Sequence, residues 1–146
     1  MNFIRITGDK GQYLPLLLLA DPSEAMIASY LDAGDLYAAE DARGPVCVAV
    51  VLSLPNGCSE LKNLAVREDR QRQGIGSRMV DFLFGQYPGP MQVGTSEKGV
   101  SFYQRLGFRV SHRVKGFFVD HYPEPIYEDG EQCVDMIYLI HPPRKA

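Results

Sequence analysis

Apolar residues change their spacing along this chain in a way that alternates strand with helix. Phe3 to Ile6 reads as a short first strand. Leu14 and the leucines at 16 to 19 are too continuous to define one face, and predict a buried helical stretch. Asp21-Pro22-Ser23-Glu24 has the order of a helix start, with Asp21 as cap, Pro22 in the first turn and Glu24 three residues beyond the cap. The helix it opens is expected to end near Leu31, before Asp32-Ala33-Gly34. Leu36 to Glu40 and Val46 to Leu54 then read as a β-hairpin turning at Asp41-Ala42-Arg43-Gly44.

Beyond Pro55-Asn56-Gly57, the stretch Ser59 to Val66 predicts another strand, and Ile75, Met79, Phe82 and Leu83 recur at helical spacing. A strand thus feeds a helix through a glycine-rich turn. Tyr87-Pro88-Gly89-Pro90 ends that helix, Met91 to Thr95 is a short strand, and Gly99 to Leu106 is a short helix closed by Gly107. Phe108, Val110, His112 and Val114 alternate with Arg109, Ser111, Arg113 and Lys115, the period of a half-exposed strand. His112 therefore reads as a core histidine rather than a catalytic one. Val134 to Ile140 is the last strand, after an acidic, proline-containing loop from Asp120 to Gln132. Within the strand at 59 to 66, Leu61 lies on the odd-numbered face and Leu64 and Val66 on the even one. A bulge near Asn63 would turn the inward face over, and burial on both faces would give the same pattern. The fold class is mixed α/β.

With 146 residues the chain suits one domain, 1–146, around a single core. Its 45% apolar and 23% charged content is that of a soluble globular protein. A net charge of −3 counts against a general nucleic-acid partner. Cys47, Cys58 and Cys133 are odd in number and far apart, which gives neither a disulfide framework nor a zinc site. Leu14 to Ala20 is too short and too late for a secretion signal, carries Pro15 and follows Asp9 and Lys10. With no run of ~20 apolar residues, no membrane partner is expected either, and the cytoplasm is the expected compartment. A homodimer is left open.

A glycine-rich turn opening a helix presents free backbone N–H groups and the positive end of the helix dipole, both attractive to phosphate. Gly74 and Gly76 occupy such a turn, without the Gly-Lys-Ser/Thr of a P-loop or the third glycine of a dinucleotide fold. Alone, the pair also describes an ordinary loop-to-helix junction. Lys62, Arg67, Arg70, Arg72 and Arg78 gather around it, which suits a nucleotide cofactor better than a long polyanion.

Three segments in order, Glu60-Leu61-Lys62-Asn63-Leu64-Ala65-Val66, Gln71-Arg72-Gln73-Gly74-Ile75-Gly76 and Phe102-Tyr103-Gln104-Arg105-Leu106-Gly107-Phe108, resemble the motifs of the Gcn5-related N-acetyltransferase (GNAT) superfamily. The core of the resemblance covers residues 59 to 108. It implies a GNAT fold: a mostly antiparallel central sheet of about six to seven strands, splayed between the fourth and fifth and flanked by about four helices. It implies acetyl-CoA as co-substrate, its pantetheine arm held by main-chain groups of Leu64, Ala65 and Val66. Main-chain N–H groups of Gln71, Arg72, Gln73, Gly74, Ile75, Gly76 and Ser77 would take the pyrophosphate, with charge from Arg72 and Arg78. Tyr103 matches the family's general acid at the thioester sulfur, and Glu60 the glutamate that serves as base in the histone acetyltransferase branch. An exposed strand residue is the other reading of Glu60. The family often has Asn and Ala where this chain has Ser96 and Gly99; Ser96 can still donate a hydrogen bond to the pantetheine arm.

The chemistry needs both proton carriers. An alkyl ammonium has a pKa near ~10.4 and must lose a proton before it attacks, while the departing thiolate benefits from an acid. The reaction expected is direct transfer, in a ternary complex, to the primary amine of a small cationic molecule. Acetylation of a protein lysine or N-terminus is one alternative, and a non-catalytic acyl-CoA sensor another. From Phe117 to Pro143 there is no Lys or Arg, whereas Asp120, Glu124, Glu128, Asp129, Glu131 and Asp135 are acidic. That segment either concentrates a cationic acceptor or is a solvated loop. Tyr122 and Tyr127 would offer flat walls to such an acceptor. His121 and His141 are isolated, and no metal site is expected.

Overall fold

The computed structural model describes residues 1–143. The chain runs β1 (Ile4–Ile6), α1 (Leu14–Ala20), α2 (Glu24–Leu31), β2 (Asp35–Asp41), β3 (Gly44–Ser53), β4 (Ser59–Val66), α3 (Ile75–Gln86), β5 (Met91–Thr95), α4 (Val100–Arg105), β6 (Arg109–Val114), α5 (Phe117–His121), β7 (Ile126–Glu128), β8 (Glu131–Cys133) and β9 (Met136–His141). Seven strands make one sheet in the order β1-β2-β3-β4-β5-β9-β6, and β7 pairs with β8 in a separate hairpin. Only β4 and β5 run parallel. None of the described helices is long and apolar enough to cross a membrane.

Both faces of the sheet are covered, which is why its central strands are apolar almost without interruption. On one face Ala49 and Val51 pack with Ile75, Met79, Val80 and Leu83 of α3, together with Leu61, Val93 and Leu139. On the other, Val48 and Val50 pack with Leu16, Leu17, Ile27 and Tyr30 of α1 and α2.

The expected bulge in β4 is present. Val50 pairs with Asn63 but Val51 pairs with Leu61, so Lys62 is the extra residue. The inward face turns over there: Leu61, Leu64 and Val66 all lie on the α3 side, while Ala65 joins the α1 and α2 side. The bulge also ends the parallel pairing, since β4 meets β5 only at Ser59, Glu60 and Leu61. Beyond Leu61 the two strands part, as the family resemblance implied.

Three local expectations are corrected. The cap of α2 is Ser23, whose Oγ accepts from Met26 N at 3.1 Å. Asp21 instead terminates α1, its N–H donating to Leu17 O at 3.1 Å. Next, β6 is an edge strand and Arg109 to Arg113 are exposed on both faces, so His112 lies outside the core and stacks on Tyr138 at 4.8 Å. Last, the segment from Asp120 to Gln132 is no plain loop. It carries the end of α5 and most of a β7–β8 hairpin that turns at Asp129 and Gly130, both with positive φ, and α5 brings the helices to five. Elements of three to five residues are too short to display a period.

Candidate active site

The turn before α3 has the geometry of an anion-binding nest. Arg72 (φ 63°) and Gly74 (φ 78°) are left-handed on either side of Gln73, an alternation that curls successive N–H groups toward one concavity. Gly74 caps α3 with no side chain of its own, so the first N–H groups of a 12-residue helix stay open. The turn is pinned from behind. Gln71 Nε2 donates to Val66 O at 2.9 Å, and Arg70 Nε to Gln73 Oε1 at 3.2 Å. Arg67 bridges Asp41 (2.7 Å) and Asp69 (2.6 Å), and Arg70 reaches Asp41 at 2.8 Å.

Two arginines expected near phosphate are therefore structural. Lys62 is also engaged, with Glu60, which leaves Arg72 and Arg78 as the members of the basic group without an ion pair among the described residues.

Hydrogen bonds from Arg67, and then from the Arg43 N–H, hold the Asp41 carboxyl well below the usual carboxylate range. That stabilisation is fully present above the ordinary carboxylate pKa, roughly 4, and is lost as pH falls through the lower folded value. Asp41→Asn should accordingly lower the melting temperature at pH 7 and weaken its fall on acidification. Superimposable melting curves at pH 7 would remove Asp41 as the anchor.

A cleft of about 890 Å³ joins this turn to the seam between β4 and β5. Gln71, Arg72, Gly74, Ile75, Gly76 and Ser77 line it beside α3; Leu64, Val66, Thr95, Ser96, Phe102 and Tyr103 line the seam. Asp21, Tyr30, Glu60, Lys62, Tyr122, Tyr127, Glu128 and Tyr138 contribute further wall, from the α1–α2 junction, α2, β4, the residue after α5, β7 and β9. Of the residues expected here, Ala65, Gln73 and Arg78 do not line the cleft. Ala65 packs against α1 and α2, and the Gln73 side chain is held by Arg70.

Tyr103 is 9% exposed, its ring edge-on to Phe102 (4.9 Å) and Phe108 (5.4 Å). Burial raises its phenol above the ordinary tyrosine value, so it keeps its proton at neutral pH. The Leu106 and Phe108 N–H groups donate to Tyr103 O, and Gly107, at φ 97°, lets the chain turn from α4 into β6. Gly99 now has a reason: a Cβ there would lie 2.0 Å from Thr95 Oγ1. Glu60, on the part of β4 still paired with β5, lines the same cleft. Its Oε2 takes Lys62 Nζ at 3.2 Å, and after burial its charge is the second cause raising the Tyr138 phenol.

A network escaped the sequence reading. Asp21, 9% exposed, accepts from Tyr30 OH (3.0 Å) and Tyr122 OH (2.9 Å), and Asn63 Nδ2 donates to Tyr30 OH (3.1 Å) and Leu17 O (3.1 Å). Its members come from residues 17 to 122, and the sequence signal at Asp21 pointed to capping. Of the six acidic residues between 117 and 143, Glu128 alone lines the cleft, whereas Asp135 serves Arg113 and Glu131 serves Lys98. Among the described residues no group of three or more His, Cys, Asp or Glu is placed to hold a metal ion.

The family model described as an acetyltransferase (GNAT) domain matches residues 32–110, which takes in the nest, the seam and Tyr103. The chain belongs to the GNAT acetyltransferase family. An uncharacterized N-acetyltransferase, YvbK, of Bacillus subtilis (strain 168) is 35% identical over 131 residues, covering 85% of this chain and 84% of its own. A GNAT family acetyltransferase of Elizabethkingia anophelis, solved with acetyl-CoA bound, is 34% identical with a TM-score of 0.89 over 97% of both chains. A Bacillus subtilis acetyltransferase solved with CoA is 30% identical with a TM-score of 0.85, again over 97% of both. The expected GNAT fold and the expected class, an acetyl-CoA-dependent N-acetyltransferase, both stand.

Proposed function

We propose that the enzyme transfers the acetyl group of acetyl-CoA directly to the primary amine of a small cationic molecule. The observation that carries this reading is the composition of one cleft. It is continuous from a phosphate-accepting nest, past a buried protonated tyrosine, to a wall bearing the carboxylates of Asp21, Glu60 and Glu128, with Lys62 among them and Arg105 of α4 also on the lining. Such a wall attracts a cation and repels an anion.

The N–H groups from Gln71 to Ser77 take the pyrophosphate with Arg72 and Arg78 beside them, and the pantetheine arm runs through the seam along Leu64 to Val66 and Ser96. The amine enters as an ammonium and gives its proton to Glu60, directly or through one water. The neutral nitrogen attacks the thioester carbonyl, the C–S bond of the adduct breaks as Tyr103 delivers its proton to the departing CoA sulfur, and the proton that remains on the acylated nitrogen restores the Tyr103 phenol. Tyr122 and Tyr127 flank the acceptor. Cys47, Cys58 and Cys133 are free thiols, in keeping with a cytoplasmic enzyme.

Thiol release from acetyl-CoA should be measured against polyamines, aminoglycosides, amino acids and lysine peptides. The highest kcat/KM is expected among the polycationic small amines. Turnover confined to peptides would sink the small-molecule reading, and CoA binding without turnover would identify an acyl-CoA sensor. Glu60→Gln should abolish the acid limb of the kcat/KM profile against pH; an unchanged profile would dismiss Glu60 as base.

A further inference from the structure

Lys62 is the extra residue of the β4 bulge, and its side chain does not run out to solvent. Its ammonium sits 3.2 Å from Glu60 Oε2 and 5.6 Å above the centroid of the Tyr30 ring, with 29% of the side chain and 12% of the Glu60 side chain exposed. Lys62, Glu60 and Tyr30 all line the cleft. A carboxylate beside an aromatic face is the surrounding an alkyl ammonium prefers once it leaves bulk water. The Tyr30 ring is itself fixed, since its hydroxyl is held between Asp21 and Asn63. The chain thus already places a primary ammonium on a flexible alkyl stem against these two groups.

We propose that Lys62 is a resident occupant of the acceptor-ammonium subsite, which an incoming primary alkyl ammonium must displace from Glu60 and Tyr30. This rests on the cationic-acceptor reading above and adds to it the groups that receive the acceptor and the residue that competes with it. Displacement has two consequences. Weak binders that cannot outcompete a tethered lysine are refused, because an intramolecular competitor acts at a high effective concentration. Displacement also releases the Lys62 side chain from Glu60 and Tyr30, which makes its occupancy readable by chemical labelling. The Asp21 carboxylate, which accepts from two tyrosines and the Ser23 N–H, lies on the same wall and fixes the Tyr30 ring that faces the ammonium.

Lys62→Met keeps the stem and removes the charge. It should lower KM for the preferred amine at least threefold and leave KM for acetyl-CoA unchanged. An unchanged or raised KM for the amine in Lys62→Met would overturn the proposal. The unmodified enzyme provides a measurement that needs neither turnover nor a folded variant. Butyltrimethylammonium, which cannot be acylated, should raise the labelling of Lys62 by an activated ester, read by peptide mass spectrometry, as it frees the side chain. Labelling that stays constant or falls as the probe saturates would overturn the displacement idea even if the amine panel succeeds. If instead no amine in the panel is turned over while Lys62 labelling rises with the probe, the transfer reaction fails and the subsite stands.

Discussion

Tyr103→Phe should lower kcat by ~10²-fold or more while leaving KM for acetyl-CoA within about twofold of the parent. The expected size follows from the surroundings of the phenol. Burial is the one cause that raises its pKa, so the hydroxyl stays a proton donor throughout the neutral range. The ring contributes separately, through Phe102 and Phe108 in the core beside α4, and phenylalanine retains that packing. The variant therefore isolates proton delivery from fold. Its melting temperature should match the parent, and steady-state kinetics with CoA-thiol release should show the loss entirely in kcat. A rate equal to the parent's would remove Tyr103 from the mechanism.

Leu139→Ala should cost about 2–5 kcal/mol of stability, the largest structural effect expected from a single truncation near the site. Leu139 is wholly buried at the middle of β9, where it pairs with Val93 of β5 on one side and Val110 of β6 on the other. Truncation opens a cavity in the cluster that seats α3 and therefore the nest. Urea unfolding should show a lower midpoint with an unchanged slope. Ile140→Ala, one residue on and 39% exposed, should shift stability by less than about 1 kcal/mol. Equal losses for the two would mean that the cluster is not packed as described.

What the sequence disclosed was whatever is repeated over enough residues or fixed by backbone conformation. The ten residues of β3 and the twelve of α3 are long enough to show their burial. The glycine turn was legible because Gly74 takes a conformation that other residues avoid. The β4 bulge was legible as a change of face between Leu61 and Leu64. Hidden from the chain were relations across space. Arg67 and Arg70 looked like phosphate ligands until Asp41, from a different hairpin, was found to hold them. Asp21 had the context of a cap, and only the folded chain brings Tyr122 to it from 101 residues away. His112 obeyed the alternation of a half-buried strand, but alternation cannot tell whether a second layer exists to cover the inward side of an edge strand.

The seam itself limits what can fill it. Beyond Leu61, β4 keeps β3 on one edge and has no strand on the other, and β5 beyond Val93 likewise keeps only β9. Peptide groups facing such an opening need water or an equivalent partner. A plain hydrocarbon tail would strip that water and return nothing, whereas an extended arm carrying amides along its length replaces it bond for bond. With the pantetheine arm in the seam, as proposed above, the parting of two strands would act as a chemical filter on the donor, favouring the jointed, amide-bearing handle of coenzyme A over simple thioesters that carry the same acetyl group.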